Sequence, residues 1–374
     1  MRKTNNGVVI IFCLMMLSLI LLLTQQLIRG VFIGSQFART MIDRERAEML
    51  ALGGITIAIA QLTPTLREEE RKEYAKQEGL KEEEAANVDE NVLLLKRVLP
   101  YLNRWHDFAL KEKIDGIDGL IKVCIVCEQG KINLNEAFDF KASSFKPEYE
   151  SMLKSLQVPN IMKPGELYTK LLEFFQKRKR KLDDLSELLA IPGFDALDMY
   201  YQPPLPVIKG KKVEPNSVVT LQDLFTIWSS NDQIDPLWLS DALCAIIGVR
   251  RPRAGDAMTH QDRYQQFFKE FKKELAQDWD ANWKVLEPLY DQKPKIVPDI
   301  KNIFTKEFGP RVFSVLSCGN VGRVEQKVLA IIRYSTRQDN AKKPQEGDEQ
   351  AEKKEQEEDS VPLSAFKILR VYWL

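Results

Sequence analysis

This chain of 374 residues has few histidines and no excess of positive or negative charge. Only His106 and His260 occur, so a histidine-based triad or zinc centre would have to use one of them. Lysine plus arginine and aspartate plus glutamate number 54 each, so no global charge attracts nucleic acid or acidic lipid. The sequence offers no nucleophile elbow, no phosphate-binding loop and no metal-binding His/Cys pair. We therefore expect no enzymatic activity, although an acid-based cleft is not visible in a sequence.

Cysteine is too sparse for a disulfide framework. Cys13 lies in an apolar N-terminal run, and four others follow. Cys124-Ile-Val-Cys127 has the spacing of half a zinc knuckle, but it lies in a β-rich run, where residues three apart point to opposite faces. We predict that both are buried strand residues. Outside the cytoplasm Cys244 could pair with Cys318, but the sequence does not show whether they are close.

One long apolar run stands near the N-terminus. Val8–Leu23 (VVIIFCLMMLSLILLL) carries no charge and reaches about 24 Å as a helix, and the residues up to Ile28 extend it towards a bilayer core of about 30 Å. Arg2 and Lys3 precede it and should stay cytoplasmic, so the rest of the chain is expected outside. A cleaved signal peptide is the alternative, but no small-x-small cleavage site follows the run.

Helical periodicity continues beyond this apolar run. Apolar side chains recur at spacings of three, four and seven at Ile28, Val31, Phe32, Ala38, Met41 and Ile42. The pattern ends at Pro64, which predicts one helix from Val8 to about Leu62, roughly 80 Å long. Gly53-Gly54 counts against full regularity, at about 1 kcal/mol for each glycine.

The N-terminal pattern resembles type IV pilins and pseudopilins, which have a short basic leader ending in glycine before a long helix. The resemblance implies cleavage by prepilin peptidase between Gly7 and Val8. Most pilins carry glutamate at the fifth mature position, where this sequence has Phe12. A carboxylate in lipid is costly unless it is paired. The K-type minor pseudopilin of type II secretion typically lacks this glutamate, as expected for a subunit at the tip.

Gly130–Ala137 (GKINLNEA) closely resembles the G-K-[IL]-N-[LV]-N-x-A segment of K-type pseudopilins. We interpret Asn133 and Asn135 as a capped turn that starts a helix at Glu136, rather than as ligands or catalytic groups.

The resemblance to K-type pseudopilins implies a second unit of this kind further along, which is degenerate here, with Asp235 and Leu237 where the two asparagines are expected. Asn231, Asp232 and Asp235 offer oxygen atoms to a calcium ion. Their spacing is not that of an EF-hand loop, and turn chemistry explains these residues equally well. Calcium is thus the one cofactor left open by the sequence.

A basic run, Lys177–Lys181, precedes Leu182–Phe194 (LDDLSELLAIPGF), which predicts a helix entering a Pro-Gly hairpin. One interpretation is a helix-hairpin-helix that binds DNA phosphates through backbone N–H groups. Asp195 stands where such hairpins usually have a second glycine, and its charge would oppose phosphate. We favour a packed helical hairpin with a solvated basic face. K-type pseudopilins carry a similar "ELL-x-[IV]-PG" segment.

Other segments after the Gly130–Ala137 motif are predicted to form helices and then strands. Helices are predicted over Glu148–Lys181, with a break at Pro159–Gly165, and over Leu237–Ile247 and Thr259–Tyr290. The end of the chain predicts strands at Arg311–Ser317, Val324–Tyr334 and Phe366–Trp373, a turn at Gly319–Gly322 and a disordered loop over 336–360.

The order of these segments resembles that of K-type pseudopilins, and this resemblance implies an α+β fold: a long N-terminal helix with a pilin-like antiparallel sheet and a large inserted α-helical domain. The expected divisions are a leader at 1–7, the membrane and pilin-like helix at 8–62, the first part of the pilin-like domain at 63–137, the inserted domain at 138–309 and the β region at 310–374.

The resemblance implies a minor pseudopilin at the tip of the type II secretion pseudopilus, with a structural role in protein export. Its implied partners are other minor pseudopilins, the inner-membrane secretion machinery and prepilin peptidase, and no nucleic acid. The expected location is the inner membrane, as a single-pass protein with a periplasmic C-terminal region. The alternatives are a membrane-anchored protein that binds DNA for uptake and a membrane-anchored enzyme.

Overall fold

The structure is a computed structural model that describes residues 6–62, 98–155, 165–194, 199, 220–229, 233–249, 263, 266–268, 270–271, 279–290, 302–305, 311–334 and 366–374. The predicted linker within 67–91, the Pro-rich connector at 201–206 and the predicted loop at 336–360 lie outside these residues. The same is true of Arg2, Lys3, Asn231 and Asp232.

A single helix, α1, spans Asn6–Leu62 and confirms the continuous helix predicted from periodicity. Gly53-Gly54 does not interrupt it. Three hydroxyl groups in the exposed half are satisfied within the helix, because Ser18, Thr24 and Thr40 each donate to a backbone carbonyl three or four residues back. Such local bonds let polar side chains sit in an apolar environment at little cost.

The main sheet has five antiparallel strands in the order β1-β2-β7-β8-β9. These strands are β1 (Trp105–Leu110), β2 (Gly119–Cys127), β7 (Val312–Val321), β8 (Val324–Tyr334) and β9 (Phe366–Trp373). The last two match the predicted strands residue for residue. The predicted α+β class is therefore confirmed. The boundaries assigned to the domains stay a prediction.

Short elements lie in the chain between β2 and β7. The strands there are β3 (Ile132–Asn133), β4 (Phe138–Asp139), β5 (Ser144–Phe145) and β6 (Phe225–Thr226). The helices are α3 (Leu134–Ala137), α4 (Pro147–Ser155), α5 (Glu166–Arg178), α6 (Leu221–Leu224), α7 (Asp241–Ile246) and α8 (Trp279–Leu286), while α2 (Glu112–Asp115) joins β1 to β2. One apolar core runs from the second half of α1 through the sheet into these elements.

Three predicted boundaries in this region were wrong. Only Leu185–Ala190 is helical in the basic hairpin, as a 3-10 helix, because Asp184 and Glu187 form a capping box that starts it late and the Pro-Gly turn follows at once. Helix α7 begins at Asp241 rather than Leu237, since Ser240 caps it through Leu243 N. Helix α3 begins before Glu136, directly after Asn133.

The predicted turn at Gly319–Gly322 was also wrong. The β7–β8 hairpin turns at Gly322-Arg323, where Gly322 has a φ of +58°, and Gly319 lies inside strand β7. Gly319 is needed because α1 crosses there. A Cβ on Gly319 would strike the carbonyl oxygen of Ala47 and come within 2.6 Å of Ala51 N. The glycine thus marks a close approach of helix and sheet.

The second half of α1 packs on the sheet through small side chains. Ala47, Ala51 and Ala58 are fully buried, and a Cβ on Gly54 would meet the Ser317 side chain. Leu50 lies against Gly119 at the start of β2, whereas Gly54 lies against Ile121, two residues further along that strand. Helix α1 therefore runs parallel to β2.

This direction decides where the long insertion leaves the sheet. Strand β2 ends at Cys127 and its antiparallel neighbour β7 begins at Val312, so both points lie at the sheet end remote from the first half of α1. Residues 128–311 thus leave and rejoin the sheet at its far end.

Candidate functional site

The first half of α1 carries bare apolar side chains. Large apolar residues from Ile10 to Ile42 are exposed, and this is the only helix among the described residues that is long and apolar enough to cross a membrane. The predicted assembly residues lie on it, and all are exposed: Phe12, Ile28, Val31, Phe32, Met41 and Ile42. None of the described residues of this chain covers them, so the helix has apolar surface to offer to lipid or to another helix. Their role in assembly stays a prediction.

The predicted cleavage point lies at the beginning of α1. Gly7 and Val8 both belong to the helix, which starts at Asn6. From Val8 to Ile28 the sequence is uncharged, and Arg29 is the next charged residue after Lys3. At 1.5 Å per residue this stretch measures about 30 Å, which matches a bilayer core. Cleavage between Gly7 and Val8 stays a prediction.

The end of the sheet nearest the exposed half of α1 lies beside a charged stretch of the helix. A Cβ on Gly322, in the β7–β8 turn, would come within 3.8 Å of the Asp43 carboxylate. The next residue, Arg44, forms an ion pair with Glu48, which lies one turn further along the helix. The helix thus changes from an apolar rod to a sheet-packed element at about Asp43–Ala47.

The Gly130–Ala137 motif joins several parts of the chain. A Cβ on Gly130 would strike the Trp238 carbonyl group, and Gly130 O accepts a hydrogen bond from Ser240 N. Lys131 forms an ion pair with Glu128, and both side chains are almost fully buried, at 2% and 3% exposure. A buried pair of this kind is costly to break, because the remaining charge would lack a partner.

The side chains of the two asparagines of the motif form hydrogen bonds to backbone groups, and we call the bonds to distant residues clasps. Asn133 accepts from Asn135 N at 3.1 Å, which caps α3, and its amide donates to Ser229 O at 2.6 Å. Asn135 donates to Leu182 O at 2.9 Å and accepts from Leu182 N at 2.7 Å. The capped turn is as the sequence indicates. The long-range clasps were not predicted, because their partners are backbone groups, which have no sequence signature.

The degenerate second unit repeats this geometry. Asp235 accepts from Leu237 N at 3.0 Å, as Asn133 does from Asn135 N. Ile132 pairs in parallel with Phe225, and Ile234 forms a parallel bridge with Phe304. The sequence carries a signal of this repeat. Leu224-Phe225-Thr226 and Ile303-Phe304-Thr305 resemble each other, and each contains the phenylalanine that pairs with its unit. The chain thus contains two related turn-and-bridge units.

The calcium residues are only partly described. Asp235 is buried and holds the turn just mentioned, while Asn231 and Asp232 lie outside the described residues. Within the described part of the chain, no group of three or more His, Cys, Asp or Glu side chains is arranged to hold a metal ion. Calcium binding stays a prediction.

No disulfide links any of the described cysteines. Cys124 and Cys127 face opposite sides of the sheet, as their spacing indicates, since Cys127 belongs to the main core and Cys124 to a small cluster with Leu316 and Leu329. Burial raises the pKa of both thiols, and it raises the pKa of Cys318 to about 12. These thiols are therefore poor nucleophiles at neutral pH. No disulfide joins Cys244 to Cys318, the possible pair.

The basic run is largely neutralised within the chain. Arg178 contacts Glu187 and Asp183, Arg180 contacts Asp183, and Lys181 pairs with Glu136 at 2.7 Å. Three of its five cations thus lie beside carboxylates, which weakens any field that it presents to phosphates.

The terminal strand is fastened to the insertion through Asp184. Tyr372, on β9, donates its hydroxyl to Asp184 at 2.6 Å, and Arg370 lies 3.8 Å from the same carboxylate. Burial alone would raise the pKa of Asp184, but the hydrogen bonds from Tyr372 and Ser186 and the Arg370 charge lower it below its ordinary value. The same residue caps the 3-10 helix, so one carboxylate joins sheet and insertion.

No protein-family model matches this chain, and no curated protein matches it. Among solved structures, a similar chain occurs in the crystal structure of the GspK-GspI-GspJ complex from the type 2 secretion system of enterotoxigenic Escherichia coli. The two chains are 14% identical, the alignment covers 90% of this chain and 98% of that one, and the TM-score is 0.45. From a likeness at this level we draw no conclusion about function.

Proposed function

We propose that this protein is a K-type minor pseudopilin that takes a structural part in type II protein secretion. One observation carries the proposal: a 57-residue helix is bare and apolar in its first part and packs on an antiparallel sheet in its second part. Such a helix can anchor the chain in a bilayer and still present surface to a neighbouring helix. The motif at Gly130–Ala137 and Phe12 in place of the usual glutamate support the K type.

The position of the insertion supports a place at the tip. The chain of residues 128–311 leaves the sheet at its end remote from the apolar half of α1. Bulk at that end would obstruct a further subunit stacked above, but not one below. We therefore infer a subunit that caps the pseudopilus in the periplasm, with other minor pseudopilins beneath it and its helix in the inner membrane.

The basic run gives no comparable support for DNA uptake, because Arg178, Arg180 and Lys181 already contact carboxylates. DNA affinity of the full chain that falls steeply with salt would favour that function instead.

The test is the N-terminal residue and intact mass of the membrane-extracted protein, with and without active prepilin peptidase. We expect a chain that starts at Val8 only when the peptidase is active. A Gly7→Val variant serves as control and should remain uncleaved. A chain starting at Met1 in both conditions would remove the pseudopilin assignment and leave a plain membrane anchor. A start beyond Leu23 would mean a cleaved secretory signal.

A further inference from the structure

Strand β9 leaves an apolar strip uncovered on the helix side of the sheet. Its partners in β8 are Ile332, Ala330 and Val328, which face the main core, so the opposite residues of β9 face the same side. These residues are Ile368, Val371 and Trp373, and they are 46%, 41% and 51% exposed. A strip of three large apolar side chains in one row is more than scattered surface residues.

Helix α1 forms one wall beside this strip. It lies over β2, β7 and β8, and its Leu50 side faces β2, as the contact with Gly119 shows. On a helix of about 3.6 residues per turn, the opposite side carries Leu52 and Ile59 and faces the β9 edge. Leu52 is 44% exposed and Ile59 is half-buried.

The space above β9 has the width of one helix. Helix α1 crosses β7 at Gly319 and Ser317, and β9 lies two strands away, which is about 10 Å. Packed helices have axes about 8–10 Å apart. A second helix centred over β9 would therefore contact both α1 and the strip.

The length and chemistry of the strip also indicate which kind of helix fits above it. From Ile368 to Trp373 the strand covers about 17 Å, which corresponds to roughly eleven helical residues. Arg370 is the one charged residue of β9 between these two residues, and it faces the other side of the sheet, as Tyr372 does. The occupant thus has an apolar face about three turns long.

We propose that this seat, formed by Leu52, Ile59, Ile368, Val371 and Trp373, receives the N-terminal helix of a neighbouring pilin-like subunit. Continuity selects this occupant. The exposed half of α1 leads directly into the Leu52 side, so a helix that lies along α1 in the bilayer reaches the seat without a bend. The inference rests on the proposed assembly function and adds the surface used by the neighbour.

Site-specific photo-cross-linking of the full chain tests the seat in cells that make it together with its pilin-like subunits. p-Benzoylphenylalanine replaces Val371 or Trp373 in two separate variants. Lys367, exposed on the other face of β9, is the matched control. We expect both seat variants to give an adduct whose cross-linked peptide comes from the apolar N-terminal helix of a second pilin-like chain, and the control to give at least tenfold less.

Several outcomes would overturn the seat: an adduct within residues 63–97 of the same chain, an adduct to lipid, to a second copy of this chain or to a non-helical segment, equal yield from Lys367, or no adduct. The same probe at Met41 separates the two proposals. Adducts to pilin-like helices from Met41 but not from Val371 would leave the assembly function standing and refute the seat. Absence of such adducts at both positions would count against the assembly function as well.

Discussion

Replacement of Gly319 by alanine should loosen the packing of α1 on the sheet. The added Cβ would strike Ala47 O and lie 2.6 Å from Ala51 N and 2.9 Å from Leu50 Cβ, against an ordinary contact distance of 3.4 Å or more. Two of these three atoms are backbone, so no side-chain rotation relieves the clash. The contact with Ala47 O requires the helix to move by more than about 1 Å, and a gap of this size forfeits about half or more of each lost dispersion contact.

We expect Gly319→Ala to lower the free energy of unfolding by about 3 kcal/mol, at the upper end of overpacking costs. Gly53→Ala is the matched control, because nothing lies within 4 Å of its added Cβ. That change should stabilise the protein by about 0.5 to 1 kcal/mol, since alanine favours the helix over glycine. Urea unfolding of the full chain in detergent, followed by circular dichroism, measures both. A loss below about 0.5 kcal/mol for Gly319→Ala would refute the close approach of helix and sheet.

Three further predictions concern the clasps, the terminal strand and the thiols. Asn135→Ala should cost about 2 kcal/mol in the same unfolding assay, because it removes both hydrogen bonds to Leu182; an unchanged midpoint would show that the clasp is dispensable. Asp184→Asn should destabilise the protein at pH 7, and the difference from wild type should shrink as the pH falls through 3.8 and below. The lowered pKa makes the stabilising contribution one that needs the ionised carboxylate, and a difference independent of pH would contradict this cause. In detergent at pH 8, iodoacetamide should modify Cys318 only after unfolding, as read by mass spectrometry; rapid labelling of Cys318 in the folded chain would contradict its burial.

The long elements were predictable because each has a strong local pattern. Helix α1 follows from uninterrupted helical periodicity between Val8 and Leu62, and β8 and β9 follow from apolar runs bounded by polar segments. The opposite faces of Cys124 and Cys127 follow from strand geometry alone.

Glycine was where the sequence misled. Gly319-Asn-Val-Gly322 looks like a turn, yet only Gly322 turns the chain, while Gly319 makes room for α1. Likewise Gly53-Gly54 looks like a helix breaker, yet Gly54 is required by Ser317 beneath it. A glycine that turns the chain and a glycine that admits another element are identical in a sequence, and only the partner distinguishes them.

The motif residues were identified from the sequence, but their partners were not. Asn133 and Asn135 were recognised as turn residues, whereas their bonds to Ser229 and Leu182 join positions far apart in the chain. The exposed apolar strip of β9 was also not predicted. The sequence does not show which strands α1 covers, and the exposure of the β9 side chains depends on this.

The pairing of β2 with β7 has a consequence for the biogenesis of this protein. These neighbouring strands are separated by residues 128–311, so the centre of the sheet cannot close until most of the chain has been synthesised. Non-local pairing of this kind folds slowly, since loop closure precedes any gain from contacts. Throughout that interval the sheet-facing side of α1 and the apolar side of β2 lack their cover, which exposes the nascent chain to aggregation and proteolysis. A shortage of chaperones should therefore reduce the yield of this protein more than that of a small protein that has a similar sheet but no insertion.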